Sequence, residues 1–291
     1  MKSYFLFNPL AGKGRAEQFA LELDSENTHA AKCYDMTKID SFPEFLTKLA
    51  ADDRLIICGG DGTLNGFINK IEGADIKNDN EILYFPAGSG NDFMKDLGRT
   101  QTDGRFKINQ YIKDLPKVTI NNKDYRFING VGFGIDGVVC GEGDRQRQRC
   151  KRVNYTLLAV KCLLKFKPVN ATLTVDGVKK TYKNVWMTTT MKGKFLGGGM
   201  MMAPHQNRNS DSGEITVFVA HNLSRFRILT LFPSVFAGKH AKYTKYVDLI
   251  KCHSIDVEYD IPCTLQMDGE PIYGVRGYSA ISETKNRVTK K

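Results

Sequence analysis

No apolar run in this chain approaches the ~18 uninterrupted residues that a membrane-spanning helix requires. The best candidate, around Leu157–Leu164, is interrupted by Lys161 and followed by Lys165 and Lys167. Any contact with a membrane is therefore expected to be peripheral. Met1–Leu10 lacks the basic, apolar and small-residue segments of a signal peptide, so export by that route is not expected and the chain reads as cytosolic. There is one tryptophan, Trp186, in a strand-like run, and neither an RNP-type aromatic signature nor a zinc-finger spacing is present. Nucleic-acid binding is left with nothing behind it but charge. The seven cysteines (Cys33, Cys58, Cys140, Cys150, Cys162, Cys252, Cys263) are odd in number and widely spread, without a CxxC pair, and the five histidines are scattered too. Neither a disulfide framework nor a transition-metal centre is expected, and the thiols read as reduced and mostly packed.

What is present is positive charge in clusters, with a formal net charge of +10. Arg145, Arg147, Arg149, Lys151 and Arg152 stand together, Lys239, Lys242 and Lys245 follow, and Lys285, Arg287, Lys290 and Lys291 end the sequence. Such clusters attract polyanions, whether anionic lipid or nucleotide, and read equally well as a solvated basic loop and tail. With 291 residues, 41% of them hydrophobic, the chain can build two cores.

The first third alternates short apolar runs with helical patterns. Tyr4–Phe7, Leu55–Cys58 and Ile82–Phe85 read as strands, and Arg15–Leu23, Phe42–Ala51 and Thr63–Ile71 as helices. This is the rhythm of an α/β, Rossmann-like domain with a mostly parallel sheet, and such sheets bind ligands at the carboxyl ends of their strands. From Lys117 the pattern becomes β-rich, with strands expected at Lys117–Ile120, Tyr125–Gly130, Ala171–Val175, Val185–Met191, Glu214–Ala220, Ser254–Tyr259 and Thr264–Met267. Helices are expected at Arg152–Phe166 and Ser224–Phe236. The expectation is an α/β domain over residues 1–116, an all-β sandwich-like domain over 117–276, and a terminal segment, 277–291, that can return to the first.

Chemistry concentrates in turns. Gly59-Gly60-Asp61-Gly62-Thr63 follows a buried strand and precedes a helix. Glycines there allow positive φ and let backbone amides approach phosphate closely, while the helix N-terminus adds a favourable dipole. Asp61 would repel bare phosphate, and makes most sense holding Mg²⁺ directly or through water. A second loop of the same design, Pro86-Ala87-Gly88-Ser89-Gly90-Asn91-Asp92-Phe93, follows the next strand. A third, Asn8-Pro9-Leu10-Ala11-Gly12-Lys13-Gly14, closes the first strand and offers Lys13 to phosphate. It lacks the GxxxxGK-Ser/Thr pattern, so a P-loop NTPase is excluded. Near the other end, Asp268-Gly269-Glu270 sets two acids around a flexible residue. That pattern suits proton abstraction from a hydroxyl, or equally a plain β-turn.

The ordered set NPxAGKG, GGDGTLN and PAGSGNDF resembles the diacylglycerol kinase catalytic-domain family, in the soluble bacterial lipid-kinase branch related to sphingosine kinases. The likeness continues through Asn129–Asp136, Gly197–Pro204, Asp211-Ser212-Gly213 and Leu265–Glu270. It implies a two-domain lipid kinase that moves the γ-phosphoryl group of ATP, with Mg²⁺, onto a lipid hydroxyl, with diacylglycerol to phosphatidic acid leading. Carried over residue by residue, ATP is met by Asn8, Pro9, Gly12, Lys13, Thr37, Gly59, Gly60, Asp61, Gly62, Thr63, Leu64, Asn65, Gly88, Ser89, Asn91 and Asp92. The catalytic acids are Asp268 and Glu270, with Asp61 assisting.

Relatives usually hold a structural Mg²⁺ through an Asp-Asp-Gly stretch. Here Ser212 replaces the second acid, which leaves Asp211, Ser212 and Glu214 as the candidate set. The implied setting is cytoplasmic, peripheral on the inner face of an anionic membrane, with the helix at Arg152–Phe166 docking through Tyr155, Leu158, Leu163 and Phe166 or else covering the sandwich. A homodimer through an exposed sheet edge is a further expectation. The competing readings are a kinase for a sphingoid base, phosphatidylglycerol or a polyprenol, an NAD kinase, which shares the GGDGT turn, and a non-catalytic nucleotide- or lipid-binding protein.

Overall fold

A computed structural model describes residues 2–9, 18, 31–72, 80–149 and 153–282. The chain divides into two compact units, Met1–Asp114 and Leu115–Lys291, and the boundary expected from sequence lay at residue 116. The helix expected at Arg15–Leu23 lies outside the described residues.

In the first unit, β1 (Ser3–Phe7), β3 (Arg54–Gly59) and β4 (Glu81–Pro86) form the centre of a five-stranded sheet, flanked by β2 (Ala31–Asp35) and β5 (Phe106–Lys107). The pairings among β1 to β4 are parallel, and only β5 runs antiparallel. A parallel strand is covered on both faces and so reads as a continuous apolar run. Phe5, Leu6, Leu55, Ile56, Ile57 and Cys58 accordingly lie at 0–1% exposure. Among the described residues, four α-helices accompany the sheet: α1 (Phe42–Thr47), α2 (Asp61–Lys70), α3 (Asp92–Asp96) and α4 (Asn109–Ile112). Ser41 caps α1 by accepting the Glu44 amide. The helix stops four residues short of the expected Ala51, with Lys48 closing its last turn.

The second unit holds a nine-stranded sheet. It is built from β6 (Lys117–Ile120), β7 (Lys123–Arg126), β8 (Gly130–Gly134), β9 (Val169–Val175), β10 (Val178–Met191), β13 (Ile215–His221), β14 (Val247–Cys252), β15 (Ser254–Met267) and β16 (Glu270–Ile281). The short pair β11 (Phe195–Leu196) and β12 (Met200–Met201) stands apart. β10 and β15 are 14 residues each, and β8 and β9 lie end to end in the slot between them. Alternation along β13 sorts side chains to two faces: Ile215, Val217 and Val219 join one core, Phe218 and Ala220 the other.

Only strand and loop residues make up the first core, yet its members are 0–8% exposed. The sheet must therefore fold over and cover its own inner face, which is the sandwich the sequence pattern suggested. The outer face is covered by α5 (Ile135–Gln148), α6 (Tyr155–Lys165) and α7 (Arg225–Phe236), through Ile135, Leu163 and Ile228.

The β-rich, sandwich-like unit is as expected, with a helix beyond the two foreseen: α5 forms where three glycines, Gly137, Gly141 and Gly143, depress helix propensity and hide the pattern. Residues 277–281, expected to lead back to the first unit, are the end of β16 in the second.

Candidate active site

In the first unit, β3 runs into Gly59-Gly60 and α2 starts at Asp61, with Gly60 as its N-cap. The Leu64 amide is the first in the helix to reach a helical acceptor, the Gly60 carbonyl at 3.0 Å. The amides of Asp61, Gly62 and Thr63 are thus first-turn donors that the helix cannot satisfy itself, at its positive end, which is the standard chemistry of an anion seat.

The glycines act here by closeness. A Cβ on Gly60 would sit 3.1 Å from the Cα of Gly88, a Cβ on Gly88 would overlap the Cα of Gly60, and a Cβ on Gly59 would meet Thr63 at 2.5 Å. None of Gly59, Gly60, Gly62, Gly88 and Gly90 has positive φ, contrary to expectation, and the left-handed residue is Asn91 at φ 51°. The two loops are further stitched by the Ala87 amide donating to the Gly59 carbonyl at 2.9 Å, and the second loop is braced internally by Asn91 Nδ2 donating to the Gly88 carbonyl at 2.9 Å.

Asp61 joins the same stitching. Its Oδ2 accepts the Asp92 amide and its Oδ1 the Phe93 amide, both at 2.9 Å, so the carboxylate of one glycine turn holds the first turn of the helix that follows the other. Each oxygen of Asp61 accepts one amide, a structural role that the sequence did not suggest. Below the loops lies Tyr84, buried, with its hydroxyl pushed well above the ordinary tyrosine range by burial and then by the negative charges of Asp61 and Asp92.

The remaining first-unit candidates scatter. Ser89 is exposed, while Asn8 and Pro9 are half-buried after β1. The Thr37 amide and hydroxyl both donate to Asp35 Oδ1, at 2.8 and 2.6 Å. Leu64 is 0% exposed and packs in the core, so its side chain is not a ligand, contrary to expectation. Asn65 is buried and accepts from Asn69. Gly12 and Lys13 lie outside the described residues.

In the second unit, Asp268 and Gly269 form the two-residue loop between β15 and β16, with φ of 47° and 91° and Met267 paired to Glu270. Positive φ at both positions is the primed turn that suits twisted hairpins, and Asp-Gly is a favoured sequence for it. Asp268 is 3% exposed. Its carboxylate accepts the amide of Ile128 at 2.7 Å, of Asn129 at 2.8 Å and of Gly130 at 2.9 Å, and its own amide donates to the Gly130 carbonyl at 3.0 Å. Arg208, also buried, donates to the Ile128 carbonyl at 2.6 Å and to Asn129 Oδ1 at 3.0 Å. Glu270, by contrast, is exposed. The pair is therefore divided: one acid is fixed in a bed of amides, and the other stands at the surface of the same turn.

The residues named for a structural cation make a hydrogen-bonded turn. The Ser212 hydroxyl donates to Glu214 Oε2 at 2.9 Å and lies 2.8 Å from the Ser210 hydroxyl, while Asp211 is exposed. Among the described residues, no three His, Cys, Asp or Glu side chains group as a metal set. This donor set does not fit a structural Mg²⁺ cage.

Sequence reasoning passed over three polar residues around the acid turn: the buried Arg208 and Gln266 and the half-buried Asp136. Asp136 ended the Asn129–Asp136 motif without a role. Burial pushes its carboxyl up to about 7, against the opposing hydrogen bonds from Gly137 and Gln266. The docking helix is corrected as well. Leu158 and Leu163 are the packed face of α6 at 5% and 2% exposure, and Phe166 lies 5.8 Å from the Trp186 ring, whereas Leu157 and Leu164 are the exposed apolar residues.

An α/β unit with stitched glycine turns, followed by a β-rich unit carrying an acid hairpin, is the architecture of a two-domain kinase, and comparison with known proteins agrees. Residues 2–119 match the diacylglycerol kinase catalytic domain, and residues 129–279 match the YegS C-terminal NAD kinase beta sandwich-like domain. A diacylglycerol kinase of Mycobacterium tuberculosis is 24% identical over 213 residues, covering 71% of this chain and 67% of its own. A protein of Shewanella frigidimarina named "Probable lipid kinase YegS-like" is 27% identical over 233 residues, covering 78% and 74%. The crystal structure of a diacylglycerol kinase from Bacillus anthracis shares the fold with a TM-score of 0.61 at 18% identity, over 97% of this chain and 94% of that one. The chain belongs to the diacylglycerol kinase and YegS-type family of lipid kinases. It is an enzyme of the phosphotransferase class, and its family implies ATP as the phosphoryl donor.

Proposed function

We propose that the protein transfers the γ-phosphoryl group of Mg²⁺-bound ATP to the free hydroxyl of diacylglycerol, forming phosphatidic acid at the cytoplasmic surface of an anionic membrane. The observation that carries the reading is the seat at the start of α2. Gly60 and Gly88 approach within backbone contact, Asp61 ties the second loop down, and the first-turn amides gather at a helix N-terminus. A triphosphate is the ligand such a seat suits best. Phosphoryl transfer passes through a loose transition state, so positioning and charge stabilisation supply most of the rate, and a positioned base adds roughly 10²–10⁴-fold. The Asp268–Glu270 turn offers that base. Mg²⁺ arrives with the nucleotide and neutralises charge on the transferring group.

Diacylglycerol leads because the curated relative from Mycobacterium tuberculosis carries that name. Membrane contact is supported by the second unit. Leu157 and Leu164 on α6 are 52% and 54% exposed, Phe226 on α7 is 78% exposed, and Lys161, Lys165 and Arg227 stand among them. The two helices are joined where Arg225 donates to the Leu163 and Leu164 carbonyls at the end of α6. No helix among the described residues is long and apolar enough to cross a membrane.

The test is ADP release from Mg²⁺-bound ATP in mixed micelles, with diacylglycerol, a sphingoid base, phosphatidylglycerol and a polyprenol as acceptors. Release that requires diacylglycerol is expected. Release that follows another alcohol would replace the substrate, and no lipid-dependent release across the panel would overturn the reading.

A further inference from the structure

Gly269, at the centre of the acid turn, is gripped on both its N–H and its C=O, which lie in the two peptide planes flanking its Cα, by side chains that lead to one helix, α5. On one side, the Gly269 amide donates to Gln266 Oε1 at 3.0 Å, and Gln266 Nε2 donates to Asp136 Oδ2 at 3.2 Å. On the other, Cys140 Sγ donates to the Gly269 carbonyl at 2.9 Å. Asp136 and Cys140 are four residues apart, so they share a face of α5. Gln266 is 3% exposed, and its orientation is dictated, since one neighbour is an amide donor and the other a carboxyl oxygen.

The helix is held against the hairpin closely enough to act as a fixed reference. A Cβ on Gly137 would overlap the Thr264 carbonyl, and one on Gly141 would come 3.0 Å from the Tyr273 ring. The Tyr273 hydroxyl donates to the Gly141 carbonyl at 3.3 Å, and Arg145 lies 5.4 Å from the same ring. Asp136 is anchored in turn by the Gly137 amide on Oδ1 at 2.8 Å. A two-residue hairpin loop has no intrinsic reason for so many long-range ties, because its own backbone bonds suffice to turn the chain.

We propose that Asp136, Gln266 and Cys140 are positioning residues for the lipid kinase reaction: through the Gly269 N–H and C=O they set the plane of the turn that presents Asp268 and Glu270. The proposal rests on the reading of that turn as the catalytic acid pair. A misplacement on the order of 1 Å can cost about 10²-fold in rate without weakening nucleotide binding. These residues therefore act on turnover rather than on affinity for ATP.

The test is steady-state kinetics of lipid-dependent ADP release on the full chain, with thermal unfolding alongside. Gln266→Met keeps the volume and removes both hydrogen bonds. It is expected to lower kcat by roughly 10–100-fold with the KM for ATP within about twofold. Asp136→Asn places an amide donor against Gln266 Nε2 and breaks the relay, whereas Gln266→Glu sets two carboxyls together that share one proton and keep the link. Combined, the two changes rebuild the relay with polarity reversed: the amide introduced on α5 donates, and the carboxylate introduced on β15 accepts both from it and from the Gly269 amide. In that double variant kcat is expected to recover at least tenfold over Asp136→Asn alone.

Wild-type kcat in Gln266→Met, or a double variant no better than Asp136→Asn alone while unfolding like the wild type, would overturn the proposal. Asp268→Asn and Glu270→Gln are the controls for the underlying reading. If both turn over normally, the acid-pair assignment fails. If they are inactive and Gln266→Met is not impaired, only the positioning role fails.

Discussion

Asp61 and Asp268 invite comparison, since each follows a strand, each was expected to do chemistry, and each is found accepting backbone amides. Asp61 holds the amides of Asp92 and Phe93, which lie 31 and 32 residues away. Asp268 holds Ile128, Asn129 and Gly130, which lie 138 to 140 residues away. The first is half-buried in a seat made by two glycine loops in backbone contact, and the second is 3% exposed in a seat closed by a buried arginine. One aspartate joins two turns of the same design; the other joins a hairpin to the segment entering β8, and through its neighbours to α5. A carboxylate at the end of a strand can therefore organise the backbone of a site as well as react in it.

The largest effect is expected from breaking the second seat. Asp268→Asn places an amide group among three donors, which costs roughly 1–3 kcal/mol of stability and lowers kcat by about 10²–10⁴-fold, read by unfolding and by lipid-dependent ADP release. Glu270→Gln sharpens the contrast: the same kinetic loss is expected with unfolding changed by less than about 0.5 kcal/mol, since the residue is exposed. An Asp268→Asn protein that is less stable but fully active would leave that aspartate purely structural.

The first seat is broken by Gly88→Ala. The new Cβ drives into the Cα of Gly60, so the loops must part, at about 1–3 kcal/mol. The KM for ATP should rise about tenfold, while the response to lipid concentration stays as it was. Gly98→Ala is the matching control for stability, as its Cβ meets nothing within 4 Å while its φ of +68° is strained.

A smaller effect follows from Asp136, whose carboxyl is raised from 3.8 to about 7 by burial. A carboxyl whose folded value lies above its unfolded one contributes stability that is complete below the unfolded value and lost as pH rises to the folded value. Between about pH 4 and pH 7 this group lowers stability by up to about 1.4 kcal/mol per pH unit. Denaturant titrations of wild type and Asp136→Asn across that window should show the slope flattened in the variant. The smallest structural effect is expected on α6: Leu157→Glu with Leu164→Glu should weaken sedimentation with phosphatidylserine vesicles by tenfold or more and leave unfolding within about 0.5 kcal/mol.

Much of the fold was legible because its signals are local. The apolar runs of β1, β3 and β4 and the Gly and Asn turns after them are each contained in a few consecutive residues. The helix α2 was placed to within two residues at its start, the discrepancy being Asp61 and Gly62, which form its first turn. β2, β5, β8, β11, β12, β14, β16, α4 and α5 were missed. α5 carries three glycines and a polar surface over its second half, and it is helical because its first turns pack on β15 and β16, which no window of sequence contains. For the same reason Leu158 and Leu163 could be read from sequence either as meeting a membrane or as covering the sandwich, and burial decides for the second.

By itself the sequence determined the order of two folding units, the glycine-bearing turns after β3 and β4 and the family to which the motifs point, because apolar period, turn chemistry and motif spacing are written along the chain. Only the tertiary structure decided that Gly60 and Gly88 are needed for contact rather than for φ, that Asp61 and Asp268 hold amides, and that Asp136, Gln266 and Cys140 meet at one glycine. Those facts depend on atoms that lie dozens to well over a hundred residues apart in the chain and come within 3.3 Å only after the sheets have paired.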